Sequence, residues 1–501
     1  MNATTAADAN GDLLPAVAAF IARSHGLFIG GEWTPASSGE TMEIVDPATG
    51  QPIANVALGN AQDIDRAVRA AREAFDRQAW SGLPALQRQE CLYRLAALIE
   101  DNLDELAMLE SLDVGMPVGI ARIFVGSVNY DNIRYLAGWV GKITGETYET
   151  ATPNQHAYSI KEPVGVVGAI TPWNAPLRSV VNKVVPALVA GCTVVVKPAE
   201  ITPLTALRFG ELVKEAGIPD GVVNIVTGLG SVAGQALVEH PLVDKITFTG
   251  STATGKQIAR TATGNLKRVT LELGGKSPAF VFPDADLERA IPNIALNIFG
   301  NSGQMCSANS RLYVHKDIYD RVVSGIAEFG KGLKVGAGRS PGVQLGPVVS
   351  QAQLDRVMGF VEAGRGDGAE VVAGGSRIEG PGYFVQPTVL ADTSRSMSVV
   401  RDEIFGPVLC AMPMQDDDLD ALARIGNDTQ YGLAAYVWTR DIGIAHNLSR
   451  KLKAGWVRVN GGSAVEHNVP FGGYKQSGWG RERGREGVEA YMETKSIIID
   501  L

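Results

Sequence analysis

The chain has 501 residues, 45% of them hydrophobic and 20% charged, which suits a large globular protein of about three domains. Its formal net charge is -9 and no basic block stands out to neutralise a phosphate backbone, so general nucleic-acid binding is excluded. Four cysteines (Cys91, Cys192, Cys306, Cys410) with no CxxC pair make neither a disulfide framework nor a metal-ligand pattern, and no metal site is expected.

At the N-terminus no Lys or Arg precedes the apolar stretch 13–21, so it does not read as a signal peptide. Short strands are expected at 27–33 and 42–45. From Ala61 the apolar positions Ile64, Val68, Ala71 and Phe75 fall at helical spacing, and further helices are expected over 86–112 and 127–143. Between 164 and 282, runs rich in Val and Ile (164–170, 193–196, 222–226, 245–249, 269–273) alternate with helical stretches at 175–189, 203–216 and 231–239. That is the rhythm of a parallel sheet covered on both faces, which binds ligands at the carboxyl ends of its strands. The longest apolar run, 184–196, is too short to cross a bilayer and contains Pro186 and Gly191, so a cytoplasmic protein with no membrane span is expected. A second α/β rhythm follows from about 284, with strands at 311–315, 408–413, 435–439 and 455–459. The tail 494–501 is β-prone and needs a partner edge, in this chain or in another subunit.

Buried packing is the default role of a free cysteine, and it suits Cys91, Cys192 and Cys410. Cys306, in Gly303-Gln304-Met305-Cys306-Ser307, differs through its company. Glu272 ends a β-prone run and precedes two glycines; apolar neighbours would raise its pKa toward that of a general base, although a plain strand-edge carboxylate has the same pattern. Asn174, in Thr171-Pro172-Trp173-Asn174, suits either an oxyanion donor or a helix cap. Lys197 and Glu200 end a buried run and suit a ribose. The turn Thr249-Gly250-Ser251 between strand and helix presents N–H groups to a phosphate. A second cluster, Gly228-Leu229-Gly230 to Gly234, approaches a dinucleotide fingerprint with the wrong final spacing.

In this order and at these spacings, the segments closely resemble the aldehyde dehydrogenase superfamily. The resemblance runs from about His25 to the C-terminus and takes in 403–408, 427–433 and 470–478. It implies an α/β fold with a Rossmann-type NAD-binding domain (1–143 and 163–273), an α/β catalytic domain (274–480) and a β-arm for oligomerisation (144–162 and 481–501), in a homodimer or homotetramer. It implies that Cys306 is the nucleophile, that Glu272 is the general base, and that Asn174 and the Cys306 N–H form the oxyanion hole. The site should then favour the Cys306 thiolate. Lys197 and Glu200 would hold the adenosine ribose, with Gly230 nearby. Gly250, Ser251 and Trp173 would lie on the pyrophosphate and adenine side. Glu403 and Phe405 would position the nicotinamide and its ribose, and Glu482 would serve a proton relay. The expected reaction takes a small-molecule aldehyde to the free acid through a thioester. NAD is favoured by Glu200, with NADP left open.

Relatives often line the aldehyde tunnel with aromatics. This chain instead has Ala175, Asn182, Gly300 and Val465, with Arg178 on the same helix, and keeps Phe471. A roomy, partly polar tunnel for a bulky or aromatic aldehyde is expected, unless other side chains refill it. Resemblance of 24–29 and 249–255 to bacterial phenylacetaldehyde dehydrogenases points the same way. Two alternatives stand: an NADP-preferring semialdehyde dehydrogenase, for which Arg178 is the argument, and a non-catalytic protein on the same fold, against which the retained Cys306 and Glu272 count. A thiol hydrolase lacks a Cys–His pairing.

Overall fold

The Val- and Ile-rich runs form the centre of an eight-stranded sheet in the computed structural model, which describes residues 13–415, 418–462 and 466–501, without the side chains of 127 and 128. Its order is Gly478–Trp479, Arg268–Glu272, Lys245–Thr249, Val166–Ile170, Thr193–Lys197, Val223–Ile225, Leu27–Ile29, Glu32–Thr34. The inner five strands, from Arg268–Glu272 to Val223–Ile225, are parallel, and the outer ones are antiparallel. Alternate residues serve two cores. Val194 and Val196 pack among Ala85–Asp101, Pro176–Ala190 and Leu204–Glu215, while Val195 packs beneath Ala61–Asp76. Burial on both faces is why these runs are apolar throughout rather than alternating.

From Val166–Ile170 the chain steps outward through Thr193–Lys197 and Val223–Ile225. It then returns to the other flank with Lys245–Thr249. That reversal opens a crevice at the carboxyl ends of Val166–Ile170 and Lys245–Thr249, where open α/β sheets take their ligands. Pro172, Trp173 and Asn174 follow the first strand, and Gly250 and Ser251 follow the second.

A second sheet runs Glu370–Ala373, Thr388–Ala391, Val408–Met414, Arg311–His315, Pro278–Val281, Ala434–Trp438, Trp456–Val459, parallel except at its first strand. The two bodies share chain: Gly478–Trp479 crosses back to pair with Arg268–Glu272, Glu272 opposite Gly478. In the third sheet the tail Met492–Asp500 pairs antiparallel with Gln155–Pro163 over its whole length, which in turn pairs with Thr147–Tyr148. The tail therefore has its partner edge within the chain. Ahead of it, Val488 and Tyr491 are buried in the first core.

Several elements differ from the sequence expectation. The helix expected over 86–112 is two, Ala85–Asp101 and Leu103–Val114, broken at Asn102 (φ -103°, ψ 21°). The strand expected at 27–33 is a hairpin, because Gly30 and Gly31 take φ of 62° and 83°. Within 127–143 the α-helix is Asp131–Ala137, preceded by the wider turns of Phe124–Tyr130.

Candidate active site

A cavity of about 310 Å³ opens at the crevice, lined on one side by Trp173, Asn174, Gly250 and Ser251 and on the other by Cys306, Glu403 and Phe405. A narrower cavity of about 70 Å³ shares Asn174 and Cys306 with it and runs past Ala175, Arg178, Asn182 and Phe471. Cys306 thus faces both spaces, whereas Cys91, Cys192 and Cys410 are buried.

The loop carrying Cys306 is held by groups that local sequence did not single out. Asn301, Ser302 and Gly303 take φ of 48°, 55° and 71°, a left-handed run costly for the two non-glycine residues. The geometry persists because the surroundings fix it. Gln304, fully buried, donates to Asn301 O (3.1 Å) and accepts from Val349 N (2.8 Å), and Ser302 Oγ donates to Gly346 O (2.7 Å). Gly303 is required, since a Cβ there would lie 1.9 Å from Gly406 O. Asn174 Nδ2 donates to Gln304 O (2.8 Å), and Asn301 Nδ2 donates back to Asn174 O (2.9 Å). One Asn174 amide proton therefore locks it to the cysteine loop and leaves the other for the cavity. The backbone N–H of Cys306 donates to no described residue.

Burial pushes the Cys306 thiol up to about 12; Arg178 works against the shift, while Glu272, Glu403 and Glu482 add to it. Burial thus opposes the expected thiolate while Arg178 works toward it, and the proton has to leave during the reaction. Glu272 ends its strand with both carboxylate oxygens buried and unpartnered. Burial first, then the nearby Glu482, raises its pKa well above the usual carboxylate range. Gly472 leaves it room, since a Cβ there would fall 2.8 Å from Glu272 Oε1. Behind it, Lys183 Nζ donates to Glu482 Oε1 (2.6 Å) and to Thr247 Oγ1 (3.3 Å).

The cofactor candidates fall in two groups. Glu403, pushed up to about 7 by burial, accepts from Gly275 N (2.8 Å) and lies so close to Gly274 that a Cβ there would sit 2.3 Å from Glu403 Oε2. Phe405 holds φ of 60°, pinned by Gln353 Nε2 donating to its carbonyl (2.8 Å). The Trp173 ring meets Phe405 edge-on at 5.2 Å, and both line the same cavity as Gly250 and Ser251. Outside that cavity lining, Lys197 Nζ donates to Glu200 Oε2 (2.8 Å). A Cβ on Gly230 would stand only 3.9 Å from the Lys197 amine. Ser251 caps the helix Thr252–Ala262, whose N-terminus opens on the crevice. A crevice with bare glycine backbone, a helix N-terminus and a Lys–Glu pair fits a dinucleotide.

Of the tunnel residues, Ala175, Arg178, Asn182 and Phe471 line the narrow cavity. Gly300 does not, although a Cβ there would meet open space, and Val465 lies outside the described residues. At about 70 Å³ the narrow cavity is less open than the small side chains at Ala175 and Asn182 suggest, and Met305, Trp456, Arg178 and Arg483 are among the residues that line it. Arg483 escaped the sequence reading; its only local signal is a charged residue inside a glycine-rich return.

The Aldehyde dehydrogenase family model matches residues 33–497. The chain belongs to the aldehyde dehydrogenase family. It is 45% identical over 482 residues to the putative aldehyde dehydrogenase DhaS of Bacillus subtilis (96% of this chain, 97% of the relative). It is 42% identical over 482 residues to a phenylacetaldehyde dehydrogenase of Pseudomonas fluorescens (95% and 96%). The fold superposes on an NAD+ complex of aldehyde dehydrogenase from Bacillus cereus with a TM-score of 0.96 at 45% identity, covering 98% of this chain and 100% of that one.

Proposed function

We propose that the protein oxidises aldehydes to carboxylic acids with NAD through a thioester on Cys306. The observation that carries the reading is that Cys306 and Asn174 line both cavities, with the buried Glu272 carboxyl near enough to act electrostatically on the Cys306 thiol, in a chain of this family. The Cys306 sulfur adds to the aldehyde carbon as its proton passes to Glu272, directly or through water. Asn174 Nδ2 and the Cys306 N–H donate to the oxyanion so formed. Bound NAD supplies the hydride acceptor. Glu482, paired with Lys183, carries that first proton outward, and Glu272 is then free to take a second one from the water that cleaves the thioester. A hydrolytic outcome is supported by the buried Glu272 carboxyl acting on the Cys306 thiol, and the family names and the NAD-bound relative support the cofactor.

Glu200 favours NAD over NADP. Burial works against its charge, but the ion pair with Lys197 holds its pKa below the usual range, so an ionised carboxylate would meet a 2′-phosphate. Glu200→Gln is expected to raise kcat/KM for NADP relative to NAD by at least about tenfold, since like charges in contact are strongly disfavoured. An unchanged ratio would remove Glu200 from the selection.

A bulky or aromatic aldehyde is supported by the aromatic wall of Trp456 and Phe471, whose rings lie 6.2 Å apart, and by the phenylacetaldehyde dehydrogenase relative. Absorbance of NADH and NADPH across aliphatic, aromatic, polyether and semialdehyde substrates tests the whole reading. Much higher kcat/KM for short aliphatic aldehydes would refute the bulky-substrate part, and no turnover of any aldehyde would refute the function.

The β-arm is read as joining subunits, because Met492–Asp500 ends its sheet and leaves Ile498 and Ile499 exposed. Light scattering is expected to give a dimer or tetramer for the full chain and a smaller particle after deletion of 492–501. A full-length monomer would contradict it.

A further inference from the structure

We propose that Arg178 and Arg483 form a carboxylate-binding subsite in the tunnel, so that the preferred substrates are aldehydes that themselves carry a carboxylate. The proposal rests on the reading of Cys306 as nucleophile, because it concerns the other end of the same substrate.

Both arginines line the narrow cavity with Cys306. Arg483 is 5% exposed, and its Nη1 is buried with no hydrogen-bond partner. Its backbone holds a left-handed φ of 66°, strained for a side-chain-bearing residue. The strand bridge just before it, in which Phe471 and Glu482 exchange two backbone hydrogen bonds of 2.8 Å, fixes where it emerges. Arg178 lies over the Phe124 ring, its guanidinium carbon 5.4 Å from the centroid. Neither arginine forms an ion pair with a described residue.

The charge balance around them is uneven. One carboxyl group, that of Glu482, lines the tunnel; it favours charge on both arginines but forms an ion pair with neither. Glu482 is instead paired with Lys183 at 2.6 Å. Burial lowers both arginine pKa values, Arg483 to about 9, which leaves it charged at neutral pH. Two guanidinium groups with no paired anion, one of them with an unsatisfied buried N–H, are a costly arrangement for folding alone. A substrate carboxylate would supply the missing charge and accept from Nη1, and a guanidinium fork matches it geometrically. The same cavity is lined by the rings of Trp456 and Phe471, which suit an apolar or aromatic spacer.

The competing role for these cations is to promote the Cys306 thiolate, since Arg178 draws that thiol's pKa down. Thiolate promotion would help every aldehyde equally, whereas a carboxylate subsite helps only anionic ones. The experiment therefore compares each acid with its amide: 4-carboxybenzaldehyde with 4-carbamoylbenzaldehyde, and 5-oxopentanoate with its amide. The wild-type enzyme is expected to favour the acid in kcat/KM by roughly 10- to 100-fold, mostly in KM, the range of a charge-assisted pair. Arg483→Met and Arg178→Met are each expected to bring the ratio toward one, and Arg483→Lys to keep part of it. Because a variant could fail to fold, calorimetry on the wild-type enzyme adds an independent reading: the unreactive 4-methylbenzoate should bind, more weakly at high salt, and 4-methylbenzamide should not. A wild-type ratio near or below one, variants that slow acid and amide equally, or no preference for 4-methylbenzoate would each overturn the proposal. Failure to oxidise any aldehyde would instead count against the Cys306 reading, and the binding measurement would still decide on the arginines.

Discussion

Cys306→Ala is expected to abolish NADH formation with every aldehyde, lowering kcat/KM by at least about 10,000-fold, as when a nucleophile is removed from a preorganised site. Every neighbouring device is aimed at this sulfur. The left-handed run at Asn301, Ser302 and Gly303, the two hydrogen bonds of the Gln304 side chain and the reciprocal Asn174–Asn301 contacts all fix the loop that presents it. The substitution deletes one sulfur from a partly exposed position and leaves those contacts in place, so NAD binding should survive. Retained activity would show that the nucleophile is elsewhere.

Glu272→Gln is expected to lower steady-state kcat by about 100- to 10,000-fold, the range for losing a general base. Gln keeps the shape but can accept a proton neither from the Cys306 thiol nor from water, so NADH formation should slow as well and should stop at one equivalent. The pH dependence carries a second signature. Because burial and Glu482 raise the Glu272 pKa, the acid form dominates at low pH, and kcat should climb as pH rises through that raised value. The Gln variant should lose this limb. Glu482→Gln, which breaks the pair with Lys183, should show the same stall more weakly. Equal pH profiles for wild type and Glu272→Gln would reject Glu272 as the base.

Where local pattern and tertiary role coincide, the sequence was readable. The strands 245–249 and 311–315 emerge with the bounds expected from their Val and Ile content, because full burial favours β-branched and aromatic side chains regardless of context. Pro278–Val281 was overlooked: four residues containing Pro and Ala carry no period of their own, and the strand exists because it sits between Arg311–His315 and Ala434–Trp438. Glu272 and Asn174 were visible because each ends or follows a readable strand at the crevice. Gln304 and Asn301 were not, since their roles consist of contacts to residues 45 and 127 positions away. Arg483 was hidden for the same reason. A charged residue between Glu482 and Gly484 reads as surface, and only the return of the chain to the tunnel buries it.

The most direct test is to trap the acyl-enzyme. Glu272→Gln, slowed in acylation and more so in hydrolysis, is incubated with NAD and a substrate aldehyde until NADH formation levels off, quenched in acid, and analysed by intact-mass and peptide mass spectrometry. The protein should gain the mass of one acyl group, located on the peptide containing Cys306, in step with the NADH formed. NADH without an adduct, or an adduct on Cys91, Cys192 or Cys410, would contradict a thioester at Cys306.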